Sequence, residues 1–263
     1  MSLPAPSSTT WGDPNAAKRA LLIHGLISCS QSWNRVADAL SAHGYYVVAP
    51  DLLGHGYASR PSTTDGAEYT IAKLAANLKP LLPQSGKDAP ISLIIGHSLG
   101  CLVALDLLPS LSSKPRVVLV DPSMEISPEI ISVVRDDCVG SVTRVASVEQ
   151  MAAAHPRWTR RDAIAKVAGN LLCDAEVVDA VLQQNPNSPW SYTDRLPSGS
   201  ELASITIVAG DPAFGALISA NQVEDLKKSH PHIRTFSVDG ASHDVHRDFP
   251  EIVVREALKS NAS

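Results

Sequence analysis

The run Ile91-Ser92-Leu93-Ile94-Ile95-Gly96-His97-Ser98-Leu99-Gly100-Cys101-Leu102-Val103-Ala104-Leu105-Asp106-Leu107-Leu108 decides how this chain is read. Its first part, 91–96, is short, apolar and without polar alternation, which is how a strand covered on both faces reads. Its last part opens a helix over 99–111. Between them Gly96-His97-Ser98-Leu99-Gly100 fits the pattern G-x-S-x-G. In that pattern a sharp, strained turn lifts the serine hydroxyl above the sheet edge and aims the next backbone N–H groups at the same spot. Side chains larger than hydrogen two residues to either side would clash, which accounts for the glycines. The bare pattern is common, and the strand–turn–helix setting gives it weight.

Outward from this turn the same rhythm repeats. Strands are predicted at 20–24 (ALLIH), 45–50 (YYVVAP), 116–121 (RVVLVD), 205–210 (ITIVAG) and 233–238 (IRTFSV), and helices at 31–43, 71–82, 219–230 and 245–260. Strand–helix alternation implies an α/β fold: a mostly parallel, doubly wound sheet with helices on both faces. The interval 122–202 breaks the rhythm. It shows no good strand, but helices can be drawn at 128–139, 148–154, 160–172 and 174–184, with N-cap chemistry at Ser127-Pro128, Thr159 and Asp174. Residues 185–200 are rich in Pro and Ser and read as a returning loop. The expectation is a core of 1–121 and 203–263 carrying a helical cap (lid) at 122–202, over the carboxyl edge of the sheet.

A serine nucleophile needs a base, and His243 follows the last predicted strand in Val238-Asp239-Gly240-Ala241-Ser242-His243. His246 reads instead as the start of the final helix. Of the other histidines, His24 is expected to hydrogen-bond locally and His97 to be wedged in the turn. His43, His55, His155, His230 and His232 read as loop or surface residues. The base needs an acid to fix its tautomer. Asp211 and Asp121 each end a predicted strand just before a proline, and both complete the order Ser…Asp…His. Asp211 is preferred, with Asp121 as the alternative. The loser would be a structural aspartate that caps a helix or orients a loop. For the oxyanion hole, the N–H groups of Leu26, after the His24-Gly25 turn, and of Leu99 are the candidates, with Ile27 as a replacement for Leu26.

Composition sets the outer limits. The chain has 263 residues, 44% hydrophobic and 19% charged, which argues against disorder. With 22 Lys+Arg against 27 Asp+Glu the net charge is -5, so nucleic acid and anionic membrane are poor partners. Cys29, Cys101, Cys138 and Cys173 are scattered without a CxxC pair, which disfavours a disulfide framework or a zinc site. Cys29 and Cys101, beside the motif loops, read as small hydrophobes rather than nucleophiles. The start MSLPAPSSTT lacks the regions of a secretory signal, and no run of about 18 apolar residues exists, so a cytoplasmic protein is expected.

Together these residues resemble the α/β-hydrolase superfamily, over nearly the whole chain. The segment LLIHGLISCSQSWNRVADALSAHGYYVVAPDLLGHGYASRP resembles its first block, including the loop Asp51-Leu52-Leu53-Gly54-His55-Gly56. GHSLG resembles the nucleophile elbow, and VAGDPAFGAL and DGASHDVHRDFPE resemble the acid and histidine blocks. The resemblance implies Ser98 as nucleophile, Asp211 as acid and His243 as base. Some relatives place the acid after the strand ending here at Asp121, which keeps that residue open. The short lead before residue 20 implies an N-terminal hairpin reduced to one strand near 8–11. Epoxide hydrolases and haloalkane dehalogenases of the superfamily carry aspartate in the elbow, so the serine disfavours those chemistries.

The expected function is hydrolysis of a carboxylic ester, lactone or thioester of a small apolar molecule through an acyl-enzyme, with no cofactor and no metal. Rival readings are a carbon–carbon bond hydrolase using the same triad, a ligand receptor keeping a slow triad, and a cofactor-free haloperoxidase-like side activity. Trp190, Tyr192, Met124, Ile126 and Trp158 are candidate pocket walls, with ordinary cap packing an equal reading of each. Substrate identity and oligomeric state are beyond the sequence.

Overall fold

Neighbouring residues of each central strand point to opposite faces of one sheet, and both sets are buried. Ala20 and Leu22, Leu93 and Ile95, and Val118 and Val120 pack into one apolar cluster, while Leu21 and Ile23, Ile94, and Val117 and Leu119 pack into another. The continuous apolar runs follow directly, because each residue of a strand covered on both faces must be apolar. The computed structural model describes residues 6–64, 67–83, 88–184, 190–199 and 203–259.

The chain enters through β1 (Ser8–Trp11) and β2 (Lys18–Ile23), then α1 (Asn34–Ala42) and β3 (Tyr45–Pro50). It continues with α2 (Ile71–Leu78), β4 (Ile91–His97), α3 (Leu99–Leu107) and β5 (Arg116–Val120). The interruption follows: β6 (Glu125–Ile126), α4 (Pro128–Thr143), α5 (Val148–Ala154), α6 (Arg160–Leu171), α7 (Ala175–Gln184) and β7 (Trp190–Ser191). The alternation resumes with β8 (Ser204–Ala209), α8 (Ala220–Ser229), β9 (Arg234–Ser237), α9 (Val245–Asp248) and α10 (Pro250–Leu258).

The main sheet has seven strands in the order β1-β3-β2-β4-β5-β8-β9. All neighbours run parallel except β1, which pairs antiparallel with β3 at the edge. From β2 the chain steps outward to β3, then returns past β2 to β4. Strand order therefore reverses between β2 and β4, and open α/β sheets bind ligands at the carboxyl ends beside such a reversal. The elbow serine stands there, at the end of the central strand. The apolar faces of α1 and α10 cover one side of the sheet, and those of α2, α3 and α8 the other.

The interruption starts as its capping residues dictate. The side chains of Ser127, Ser147 and Thr159 accept from the N–H groups of Ile130, Gln150 and Asp162, and the last two starts are full capping boxes. Two elements depart from expectation. A two-residue antiparallel ladder, β6 with β7, ties the ends of the interruption together, Ile126 facing Trp190. So short a pairing leaves no periodicity to read. The helix expected over 245–260 is split after Asp248, because Pro250 has no N–H to continue it and instead starts α10. Residue 260, residues 185–189 and 200 of the expected loop, and the last residues of the expected 122–202 segment lie outside the described residues.

The elbow is closed by backbone on both sides. A Cβ on Gly96 would lie 2.7 Å from the Gly100 carbonyl oxygen, and one on Gly100 would lie 2.6 Å from that of His24 and closer still to that of Ile23. Gly100→Ala is therefore expected to destabilise the protein by about 1–3 kcal/mol through overpacking against immovable backbone. Chemical denaturation checks this, and an unchanged midpoint would show that α3 can slide away from β2.

Candidate functional site

Among the described residues, three that are not glycine have positive φ: Ile27 at 50°, Ser98 at 51° and Asp121 at 38°. A non-glycine residue there is strained, a β-branched one most of all, and such strain persists only where the surroundings impose it. All three follow the carboxyl ends of β2, β4 and β5, which are neighbours in the sheet. The turn at Ser98 (ψ -119°) starts α3 immediately, while the Ser98 N–H donates to the Val120 carbonyl, pinning the elbow to β5. The β2 loop comes as close: a Cβ on Gly25 would lie 3.0 Å from the Ser98 Cβ.

Asp121 is fully buried and its carboxylate is saturated with donors. Oδ1 accepts from the Gly210 N–H at 2.9 Å, and Oδ2 from the Leu217 N–H at 2.8 Å and from His243 Nδ1 at 2.6 Å. A carboxylate held by backbone donors accepts only, so the hydrogen sits on Nδ1 and the lone pair of neutral His243 is on Nε2. Burial by itself would lower the His243 pKa. The hydrogen bond and charge of Asp121, helped by Asp244, outweigh it, and the net shift is upward from 6.5.

Asp211, the acid preferred from sequence, makes no hydrogen bond to His243 among the described residues. Its Oδ1 accepts from the Ala213 N–H at 3.0 Å and its Oδ2 from the Gly240 N–H at 2.8 Å. Those two donors hold its carboxyl below the usual range. Asp211 thus caps the 212–214 turn and anchors the loop ahead of His243, and the aspartate hydrogen-bonded to His243 is Asp121. The reason is the loop after β8, which folds back so that Gly210 and Leu217 grip Asp121 while Asp211 faces outward.

Ser98, His243, Leu26, Ile27 and Leu99 all line one cavity of about 230 Å³. Leu99 is the first residue of α3, where a helix leaves its N–H groups without intrahelical partners. Of the five expected walls, Ile126 and Trp190 line this cavity, beside Val134, Val181 and Leu182 from α4 and α7. The other three do not. Trp158 is a strut: its Nε1 donates to Asp248 at 2.8 Å, His155 stacks on one side and Arg247 lies over its ring. Tyr192 is buried edge-on against Trp190, and Met124 faces a different cavity beside α8. Buried aromatic and sulfur side chains are as useful for packing as for lining, and nothing in their local sequence separates the two.

All four thiols are free, and burial pushes the pKa of Cys29 and Cys101 upward, which makes both poor nucleophiles. His55, read as a surface residue, is fully buried against His24, and burial lowers its pKa to about 3. His24 bonds locally as expected, to the Gly25 carbonyl, and also accepts from the Leu52 N–H. His97 Nε2 meets the His243 carbonyl at 3.0 Å. His97, Asp244 and His246 bring possible ligand atoms within 4.8 Å of one another. The Arg247 guanidinium already holds Asp244 at 2.6 Å and opposes any second cation there.

The sequence profile described as the alpha/beta hydrolase family matches residues 20–256. The chain belongs to the α/β-hydrolase family. An uncharacterized protein of Mycobacterium tuberculosis is 44% identical over 85 residues, which are 32% of this chain and 23% of that protein. Epoxide hydrolase A of the same organism is 36% identical over 92 residues, 35% of this chain and 27% of that protein. The chain thus spans about a quarter of the length of these curated relatives. Among solved structures, the thioesterase domain from the curacin biosynthetic pathway superposes with a TM-score of 0.69 at 21% identity, covering 96% of this chain and 94% of that one.

For an α/β hydrolase the cavity also holds residues that sequence reasoning passed over. Lys166 from α6, Arg247 from α9, Asp244 just before α9, Ser28 after β2 and Ser123 after β5 all line it. Arg247 and Asp244 stand beside His243 in SHDVHRDFP and were open to notice. Lys166 was not, being one cation among several in RRDAIAKVAGNL. Among the described residues, no helix is long and apolar enough to cross a membrane.

Proposed function

We propose that this α/β hydrolase is a serine hydrolase acting on a carboxylic ester, lactone or thioester, with Ser98 as nucleophile, His243 as base and Asp121 as acid. The supporting observation is the 2.6 Å bond from His243 Nδ1 to buried Asp121, in the cavity that Ser98 lines. That bond leaves the Nε2 lone pair to take the Ser98 proton as Oγ attacks the carbonyl carbon. The oxyanion is held by the N–H groups of Leu26 and Leu99, each such donor contributing about 2.7–4 kcal/mol in the transition state. His243 then returns the proton to the leaving alcohol or thiol. Water, deprotonated by the same nitrogen, releases the acid.

An alcohol nucleophile with a histidine base suits acyl transfer, and this separates the reading from that of the epoxide hydrolase among the relatives. The interruption at 122–202 is proposed as a cap, since α4, α6 and α7 supply cavity walls while Trp158, Arg161 and Lys166 tie it to the core. The part of the cavity walled by Leu26, Ile126, Val134, Val181, Leu182 and Trp190 fits a small, apolar acyl or alcohol portion.

The test is a hydrolysis screen over esters, lactones and thioesters of graded chain length, for which turnover of at least one class is the expected result. Absence of turnover together with tight ligand binding would favour a receptor instead. The same assay reads a pH profile. His243 works as a base only when neutral, so kcat/KM is expected to rise with pH through a midpoint above 6.5. A midpoint below 6.5 would mean that Asp121 does not hold a protonated His243 in the free enzyme.

A further inference from the structure

We propose that the wall of the cavity formed by Lys166, Ser28 and Arg247 is a subsite for a carboxylate carried by the substrate, so that the preferred ester is an acidic one. This deepens the hydrolase reading and rests on it for the position of the scissile bond. Lys166 reaches the cavity from α6, and its Nζ donates to the Ile27 carbonyl at a long 3.4 Å. An ammonium has three N–H groups, and among the described residues no carboxylate lies within ion-pair distance of this one. Ser28 is buried and its Oγ accepts from Arg247 Nη2 at 3.3 Å, which leaves its own O–H to donate. Arg247 is almost wholly buried; Nη1 is taken by Asp244 at 2.6 Å, and Nε has no partner.

The charges on this wall do not cancel locally. Asp244 neutralises Arg247, which leaves Lys166 as a desolvated cation. Desolvation is the largest influence on Lys166 and lowers its pKa, Asp244 opposes that, and Arg247 reinforces it. Asp137 also lines the cavity, but it is exposed on α4. A half-buried, under-partnered cation with a spare hydroxyl beside it is the chemistry that recognises a carboxylate, through charge-assisted hydrogen bonds roughly twice as strong as neutral ones.

The experiment compares two esters with the same leaving group, p-nitrophenyl hydrogen glutarate and neutral p-nitrophenyl valerate, on wild type, Lys166→Met and Lys166→Arg. Wild type is expected to favour the acidic ester in kcat/KM. That preference should fall about ten- to a hundredfold in Lys166→Met, the loss typical of one hydrogen bond to a charged group, and Lys166→Arg should restore part of it. A wild type without preference, or an equal loss on both esters, would overturn the subsite. A second arm titrates Ser98→Ala with monomethyl glutarate, with and without Lys166→Met. Lys166-dependent binding without turnover of either ester by wild type would sink the hydrolase reading and leave the subsite standing. Turnover of the neutral ester with no Lys166-dependent binding would do the reverse.

Discussion

Ser98→Ala is expected to reduce ester turnover by about a millionfold, the loss seen when the nucleophile of a serine hydrolase is removed. The substitution deletes one oxygen and keeps the Cβ that already sits in the elbow, so the strained φ of 51° is no worse for alanine than for serine. The Ser98 N–H bond to Val120 is a backbone bond and survives. What remains is binding and the proposed oxyanion donors, which support only residual catalysis. A fluorophosphonate probe should label wild type and fail on the variant, with both proteins melting at similar temperatures. Labelling that persists would move the nucleophile to another hydroxyl. The cysteines are no alternative source of reactivity at the elbow, because burial pushes the Cys101 thiol well above its usual value.

The fold was legible because its signals are local and redundant. Each sheet strand that the hydrophobic runs predict is found within about two residues, as boundary reading allows. GHSLG placed the elbow, because a Cβ at either glycine would meet backbone within 3 Å. The site was legible only as far as each residue carried its own local signature. Asp121 and Asp211 have the same local environment, strand end and then proline, and what separates them is the long-range return of residues 210–217 over β5. Single-sequence reasoning has no access to that path. Trp158 fails as a wall for a related reason: it packs under Arg247, a contact that joins segments far apart in the chain. Lys166 is invisible for the opposite cause, since a lysine on an amphipathic helix is ordinarily solvated and only the closure of α6 onto the Ile27 loop makes this one matter.

The second large effect separates the two aspartates. Asp121→Asn is expected to lower kcat by about ten-thousandfold, the magnitude known for the same change in another serine hydrolase. Asparagine keeps the size of the side chain, and with its oxygen in the Oδ1 place it still accepts from the Gly210 N–H. Its amide nitrogen, however, then faces His243 Nδ1 and donates to it, which forces the hydrogen onto Nε2 and removes the lone pair proposed to take the Ser98 proton. The acid limb of the pH profile should also move below that of wild type, because the hydrogen bond and charge that raise the His243 pKa are lost. Asp211→Asn should leave that limb where it is. Asp211 serves Ala213 and Gly240, and asparagine caps a turn about as well as aspartate, so Asp211→Asn should change the denaturation midpoint and kcat only slightly. A result in which Asp211→Asn lost the activity and shifted the limb, while Asp121→Asn did neither, would return the acid to Asp211. It would also require the loop at 210–217 to rearrange in solution so that the carboxylate of Asp211 reaches His243.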